Sequence, residues 1–290
     1  MPLILIGCLL LWNGLRWQET AKPLPDLGSF LQEVKGNLRS DRLLLSQYTY
    51  TMKQTVHELD KQGKVKDTFV NVYEVYPSLE EGLTYQRLIS KNGKPLGEKE
   101  LEKEDSSYDK KLKEHEGKLQ REGTDEKARR QAKEAEERRK EEAVKDELFQ
   151  LFDVSMVGRE NIDGRSTIQL AFRPHRGYKP KSREAGILLK TAGNAWFGED
   201  DHELIRLRFE FIDAFSLGLG VLVRLNKGTT ASFDRRRVND EIWLPAEIHF
   251  AGTARVLMLK VVKVELISEY SDYRKFTVTS SATRPVPKKP

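Results

Sequence analysis

This chain of 290 residues holds one cysteine, so no internal disulfide braces it and no pair of thiols is there to hold a metal. Charge of one sign is equally scarce: 50 basic residues face 45 acidic ones, a net +5, which is a mixture and not the basic stripe a nucleic acid requires. No nucleic acid is therefore expected among its partners. No apolar run reaches the ~20 residues that span a bilayer. Histidines number five, and His57, His115, His175, His202 and His249 stand too far apart for a local zinc motif. A Gly-x-Ser-x-Gly elbow and a phosphate-binding loop are both missing. Gly218-Leu-Gly220 lacks a third glycine and reads as bulge or close-packing glycines inside a strand over Leu217–Leu225. These absences leave no assembled acid, base, nucleophile or metal set, and the chain is read as non-enzymatic, without metal or cofactor.

The run Leu3-Ile-Leu-Ile-Gly-Cys-Leu-Leu-Leu-Trp12 has the length of a secretory signal core, about 7–15 residues. Export follows as an expectation, with residues 1–22 as signal peptide or N-terminal anchor. Leu5-Ile-Gly-Cys8 also has the residue types of a lipoprotein signal-peptidase box, so Cys8 is either a lipidation site or an ordinary member of the apolar run.

Beyond Lys22-Pro-Leu-Pro25, the residues Leu31, Val34, Leu38 and Leu43–Leu45 recur at helical spacing and predict an amphipathic helix over 27–45, broken near Ser40. From Tyr48 the period becomes two, and three antiparallel strands follow, with turns at Asp60–Gly63 and at Asn92-Gly93. Residues 23–97 thus give one helix and the first strands. Residues 98–150 are mostly charged, with both signs mixed, and cannot bury enough surface to fold alone. Glu and Lys or Arg four apart, such as Glu134 with Arg138, support a long solvated helix or helical hairpin, interrupted near Gly117 and Gly123. Strand signals resume over 151–278, including Ile242–Ala251 and Ala254–Tyr270, with a helical turn at Ala185–Lys190. Residues 279–290 read as a tail. Roughly ten strands joined by short turns favour one strongly curved antiparallel sheet wrapped around an internal helix, an α+β chain that is mainly β.

The most informative stretch is Gly193–Phe211. A short aromatic strand, the acidic turn Glu199-Asp-Asp201 and an alternating strand make a hairpin with Leu207, Phe209 and Phe211 on one face and Arg206, Arg208 and Glu210 on the other. The group Glu199-Asp-Asp-His202 can be read as a cation site or as an acidic turn, and the turn is the commoner state.

The order helix, three strands, helical connection, strands, followed by Gly193-x-x-Trp196 with Asp201, Glu203, Leu204 and Arg206, then Trp243-Leu-Pro245 and Glu269–Phe276, resembles the LolA/LolB-like superfamily of bacterial envelope proteins. More closely, it looks like an outer-membrane lipoprotein-sorting-like group whose sheet is divided by a charged helical insertion. The resemblance implies an unclosed half-barrel, helices over its concave face, a periplasmic or cell-envelope location, and an apolar interior that takes acyl chains. Two functional expectations follow. In the first, a lipid or lipoprotein acyl chain occupies an apolar groove, for which the candidate wall residues are Tyr48, Tyr50, Trp196, Phe209, Phe211, Trp243 and Phe250. In the second, an envelope protein partner docks on the charged helix, as in a stress sensor. The basic loop His175–Arg183 is a further surface for head groups or an acidic partner.

Overall fold

The computed structural model describes residues 22–38, 41–79, 82–217, 223–256 and 260–275. The expected signal or anchor with Cys8, the glycines at 218 and 220, and the tail from Thr279 lie outside the described residues.

Helix α1 spans Leu27–Asn37, capped by Asp26, whose carboxylate accepts from the Ser29 amide at 2.9 Å. Leu38 turns extended, and α2 resumes at Asp41–Leu45, so the expected helix is two helices. Strands β1 (Tyr48–Leu59), β2 (Val65–Tyr76), β3 (Tyr85–Lys91) and the two-residue β4 (Lys94–Pro95) form a meander. Its last turn is Asn92-Gly93, with φ of 50° and 76°, the conformation that Asn-Gly supplies at little steric cost.

The insertion is two helices, α3 (Glu98–Arg121) and α4 (Thr124–Leu151), joined by the extended pair Glu122-Gly123. Gly117 does not interrupt α3; one glycine costs a helix only about 1 kcal/mol, and the Arg121 guanidinium donates to its carbonyl at 2.8 Å. Strands β5 (Phe152–Ile162) and β6 (Arg165–Pro174), the short helix α5 (Arg183–Leu188), and β7 (Thr191–Gly198) and β8 (Leu204–Phe211) follow. The single strand expected over 217–225 is instead a pair, β9 (Phe215–Leu217) and β10 (Val223–Leu225), hydrogen-bonded to each other. Strands β11 (Thr230–Val238), β12 (Ile242–Val256) and β13 (Lys260–Lys275) complete the sheet. Here β12 runs through the break expected after Ala251, and the single strand expected over Ala254–Tyr270 is divided between β12 and β13, which pair with each other.

All thirteen strands of the described residues belong to one curved antiparallel sheet that does not close. Its order is β4-β3-β2-β1-β13-β12-β11-β8-β7-β6-β5, with β9 and β10 attached to β12. The two edges, β4 and β5, are neighbours in sequence apart from the insertion. Helices α3 and α4 therefore leave one edge and return at the other, where a further strand pairing would have closed the barrel. The β4 edge is blunted by its shortness, by Lys94 and by Pro95.

Two clamps hold the insertion. At the α3 end the Tyr108 ring stacks on Tyr85 at 4.1 Å and its hydroxyl donates to the Leu83 carbonyl at 2.8 Å, while Asp105 accepts a two-pronged contact from Arg87 at 2.8 and 3.2 Å. At the α4 end, Leu151 is fully buried and the buried Glu147 carboxylate accepts from the Lys181 amide at 2.8 Å. The same contact ties down the basic loop, whose Tyr178 hydroxyl reaches Gln150 at 3.2 Å.

Candidate functional site

The register of the sheet builds an apolar row across its inner face. From β5 to β2, Val154, Phe172, Gly193, Phe209, Ala231, Phe250, Leu266, Val56 and Phe69 are successive cross-strand partners, one from each strand. Directly opposed residues of antiparallel strands share a face, so a single row of period-two choices becomes a continuous apolar band.

Helix α1 covers this band over β5–β8. Its Phe30 and Val34 are buried against Ile168, Leu170, Ala195 and Phe197, with Phe149 of α4 packed alongside. Leu27, Phe30, Leu31, Val34 and Leu38 recur at three- and four-residue steps, so one stripe of the helix meets the sheet and the charged remainder faces out. The helix is too slender to fill the concavity. A cavity of about 190 Å³ remains between α1, the end of α4, α5 and the strands, walled by Leu31, Val34, Leu38, Leu148, Phe149, Phe152, Val154, Leu170, Phe172, Leu188, Ala195, Phe197, Leu204, Leu207 and Phe209, with Thr191 as the single polar residue type. Its wall thus offers apolar contacts and almost no polar ones.

Of the seven aromatic residues expected to wall a groove, Phe209 lines this cavity. Phe211 and Phe250 stand beside it on the same face, in a cluster with Phe215 and Leu225 against which Phe209 also packs. Tyr48 is buried below α2 with Val238 and Leu244. Tyr50 packs its ring on Tyr270 and Tyr273 at 5.7 and 5.4 Å, and burial raises its hydroxyl pKa to about 12. Trp196 and Trp243 do not face the cavity. Trp196 lies between Ala195 and Phe197, which point at α1, so the strand's alternation sends the indole through the other face to join Ile162, Ile205 and Trp243. The cavity residues that the aromatic criterion missed are mainly aliphatic; the helical period of α1 and the alternation of β6 and β8 are the signals that point to them.

The conspicuous polar residues of the 193–211 stretch are spent on architecture. Asp201 accepts from Arg165 at 2.7 Å and from the Trp243 indole at 3.2 Å, and its carbonyl takes the Asn37 side chain at 2.7 Å. One turn residue thereby joins the end of α1, β6 and β12. The Trp196 indole donates to Glu160 at 2.7 Å, Arg208 lies over its ring at 5.9 Å, and Arg206 pairs with Asp234. Glu199 is gripped by Arg159 at 2.7 and 2.8 Å, by Ser166 at 2.7 Å and by Lys22 at 3.0 Å; the Arg159 contact, followed by Ser166, holds its carboxyl at about pH 2 for half-protonation. With Glu199 and Asp201 engaged by cations and His202 tilted on the Phe30 ring at 4.9 Å, the acidic turn is an ion-pair hub. Among the described residues no cluster of three metal-ligating side chains occurs, and no helix is long and apolar enough to cross a membrane. Gly193 and Gly198 are required by close approach: a β-carbon would lie 2.1 Å from the Arg208 carbonyl oxygen at the first and 2.0 Å from the Asp201 carboxylate at the second.

No family model and no curated protein matches the chain. Among solved structures it is similar to a domain assigned to outer-membrane lipoprotein sorting from Vibrio parahaemolyticus, at 10% identity and a TM-score of 0.32, over 86% of this chain and 92% of that one. It is also similar to MucB in complex with MucA(peri), at 9% identity and a TM-score of 0.22, over 87% and 100%. A third likeness is to the MucA/MucB complex of Pseudomonas aeruginosa, at 8% identity and a TM-score of 0.22, over 86% and 98%.

Proposed function

We propose that the chain is a non-enzymatic envelope protein that binds a lipid, or the acyl part of a lipoprotein, on the inner face of its open sheet. The observation that supports this reading is the cavity of about 190 Å³ below α1, whose wall is apolar except for Thr191. No charge is present there to select an ionic guest, and each methylene taken out of water contributes about 0.8 kcal/mol. A sheet face otherwise closes on helices without leaving such a gap, since interiors pack as densely as organic crystals.

The test is to purify the full chain without detergent, extract it with organic solvent and identify any bound lipid by mass spectrometry. A stoichiometric acyl lipid is expected, and Leu170→Trp, which places a ring in the cavity, should abolish its recovery while leaving the fold intact by circular dichroism. A folded wild-type chain that carries no lipid and gains no thermal stability from added lipid sinks the proposal.

A second reading is supported by the insertion. No residue of α3 is buried, and α4 buries none of its described side chains before Glu147, although both helices are clamped to the sheet at their ends. That leaves a long, positioned, charged surface for an envelope protein partner. Reversing Arg129, Arg138 and Arg139 to Glu should remove partner binding under this reading and leave lipid recovery unchanged under the first.

A further inference from the structure

The inner cavity is small for the guest proposed above. Sites that enclose a whole small ligand usually measure about 300–1000 Å³, whereas this one holds about 190 Å³. A second space adjoins it. An open cleft of about 990 Å³ lies between α2 and the last part of α4, and Leu38 and Leu148 belong to the walls of both. Its floor is Leu43, Leu44 and Val144, and its rim carries charge of both signs, including Lys140, Lys145 and Glu184. Leu43 is 55% exposed and lines this cleft, where it is open to an apolar guest.

We infer that the guest is a single-chain amphiphile that passes between Leu38 and Leu148, with its tail in the inner cavity and its remaining length and polar head in this outer cleft. The inference rests on the lipid reading. It makes the insertion part of the binding site, since α4 supplies one wall. Glu137, Lys140, Val144 and Leu148 recur at steps of three and four residues, so one stripe of the helix runs from the charged rim, across the apolar floor, to the neck. That polarity gradient is that of an amphiphile. Beside the neck, α1 and α4 are joined by the packing of Phe149 on the Phe30–Val34 cluster and by one polar contact, Lys35 to Asp146 at 3.0 Å, a solvent-accessible pair of the kind that holds little. The cleft is walled by 11 residues, fewer than the roughly 20–30 that a folded partner covers on each side, and its size therefore suits a chain.

The test measures uptake and release of a fluorescent long-chain fatty acid and a fluorescent lysophospholipid by the full chain in stopped flow. Leu43→Asp and Val144→Asp change the cleft floor without touching the inner cavity, and should weaken binding about tenfold each. Leu148→Trp narrows the neck and should slow uptake and release together, at least fivefold, with a smaller change in Kd. If wild type binds a probe but the cleft variants keep wild-type Kd and the neck variant keeps wild-type rates, the inference falls and the lipid reading stands. If wild type takes up neither probe, both fall. Should Val144→Asp fail to fold, the exposed position Leu43 carries the equilibrium test alone.

Discussion

The two faces of the β7–β8 hairpin are built from the same dozen or so residues and do opposite work. On the outer face every polar group of note has a partner: Trp196 on Glu160, Trp243 and Arg165 on Asp201, Arg159 on Glu199, Arg206 on Asp234. On the inner face Ala195, Phe197, Leu207 and Phe209 meet a helix that leaves a gap. Satisfied polar networks fix one geometry, because breaking any member leaves a buried group unpaired. Apolar surfaces without direction tolerate a changing guest. The conspicuous residues of this hairpin are thus the frame, and its plain ones wall the cavity.

The comparison can be broken from the frame side first. Gly193→Ala forces a β-carbon into the Arg208 carbonyl, where β7 and β8 cannot separate without losing their ladder, and should cost about 3 kcal/mol in urea unfolding. A loss under 1 kcal/mol would show that the strands yield. Next, Asp201→Ala removes the acceptor shared by Arg165 and Trp243 and should cost about 2–3 kcal/mol, with α1 exchanging its amides faster than wild type. An unchanged α1 would mean that Asn37 holds the helix without the turn.

The Glu199 grip gives a pH signature. Its folded pKa, about 2, lies below the ~4.3 of a free glutamate, so the contribution is complete above about pH 4.3 and fades as pH falls toward 2. About 2 kcal/mol should be lost over that window, allowing for the solvent around Lys22. Glu199→Gln should flatten the stability curve there; parallel curves for the two proteins would refute the assignment. The smallest effect is expected at the insertion. Tyr108→Phe keeps the stack on Tyr85 but forfeits the bond to Leu83, costing about 1 kcal/mol and loosening α3 in hydrogen exchange without affecting lipid recovery. Loss of lipid in that variant would instead couple the α3 clamp to the cavity.

Much of the frame was legible beforehand. The hairpin and its facing of Leu207, Phe209 and Phe211 against Arg206, Arg208 and Glu210 follow from alternation, and the register agrees. The Asn92-Gly93 turn and the helical insertion also follow from local chemistry. The site was less legible. Aromatic size marked Trp196 and Trp243 as groove residues, yet period two places Trp196 opposite its neighbours Ala195 and Phe197, and the criterion of size overlooked that. Leu38 was visible only as a member of a helical stripe, and Leu148 only as the start of the apolar run Leu148–Phe152 that ends the charged insertion, because nothing local says that two segments a hundred residues apart will share a wall.

By itself the sequence determined the elements, the faces of the strands and the charged character of the insertion, since these depend on the period of apolar residues and on turn chemistry over a few positions. Which faces meet was decided only in three dimensions. The pairing of β1 with β13, the placing of α3 and α4 across the unclosed edges, and the mismatch between one narrow helix and a broad curved sheet arise from long-range closure, whose cost and reward are shared over the whole chain. The cavity is that mismatch, a property of the assembled sheet and of no segment in it.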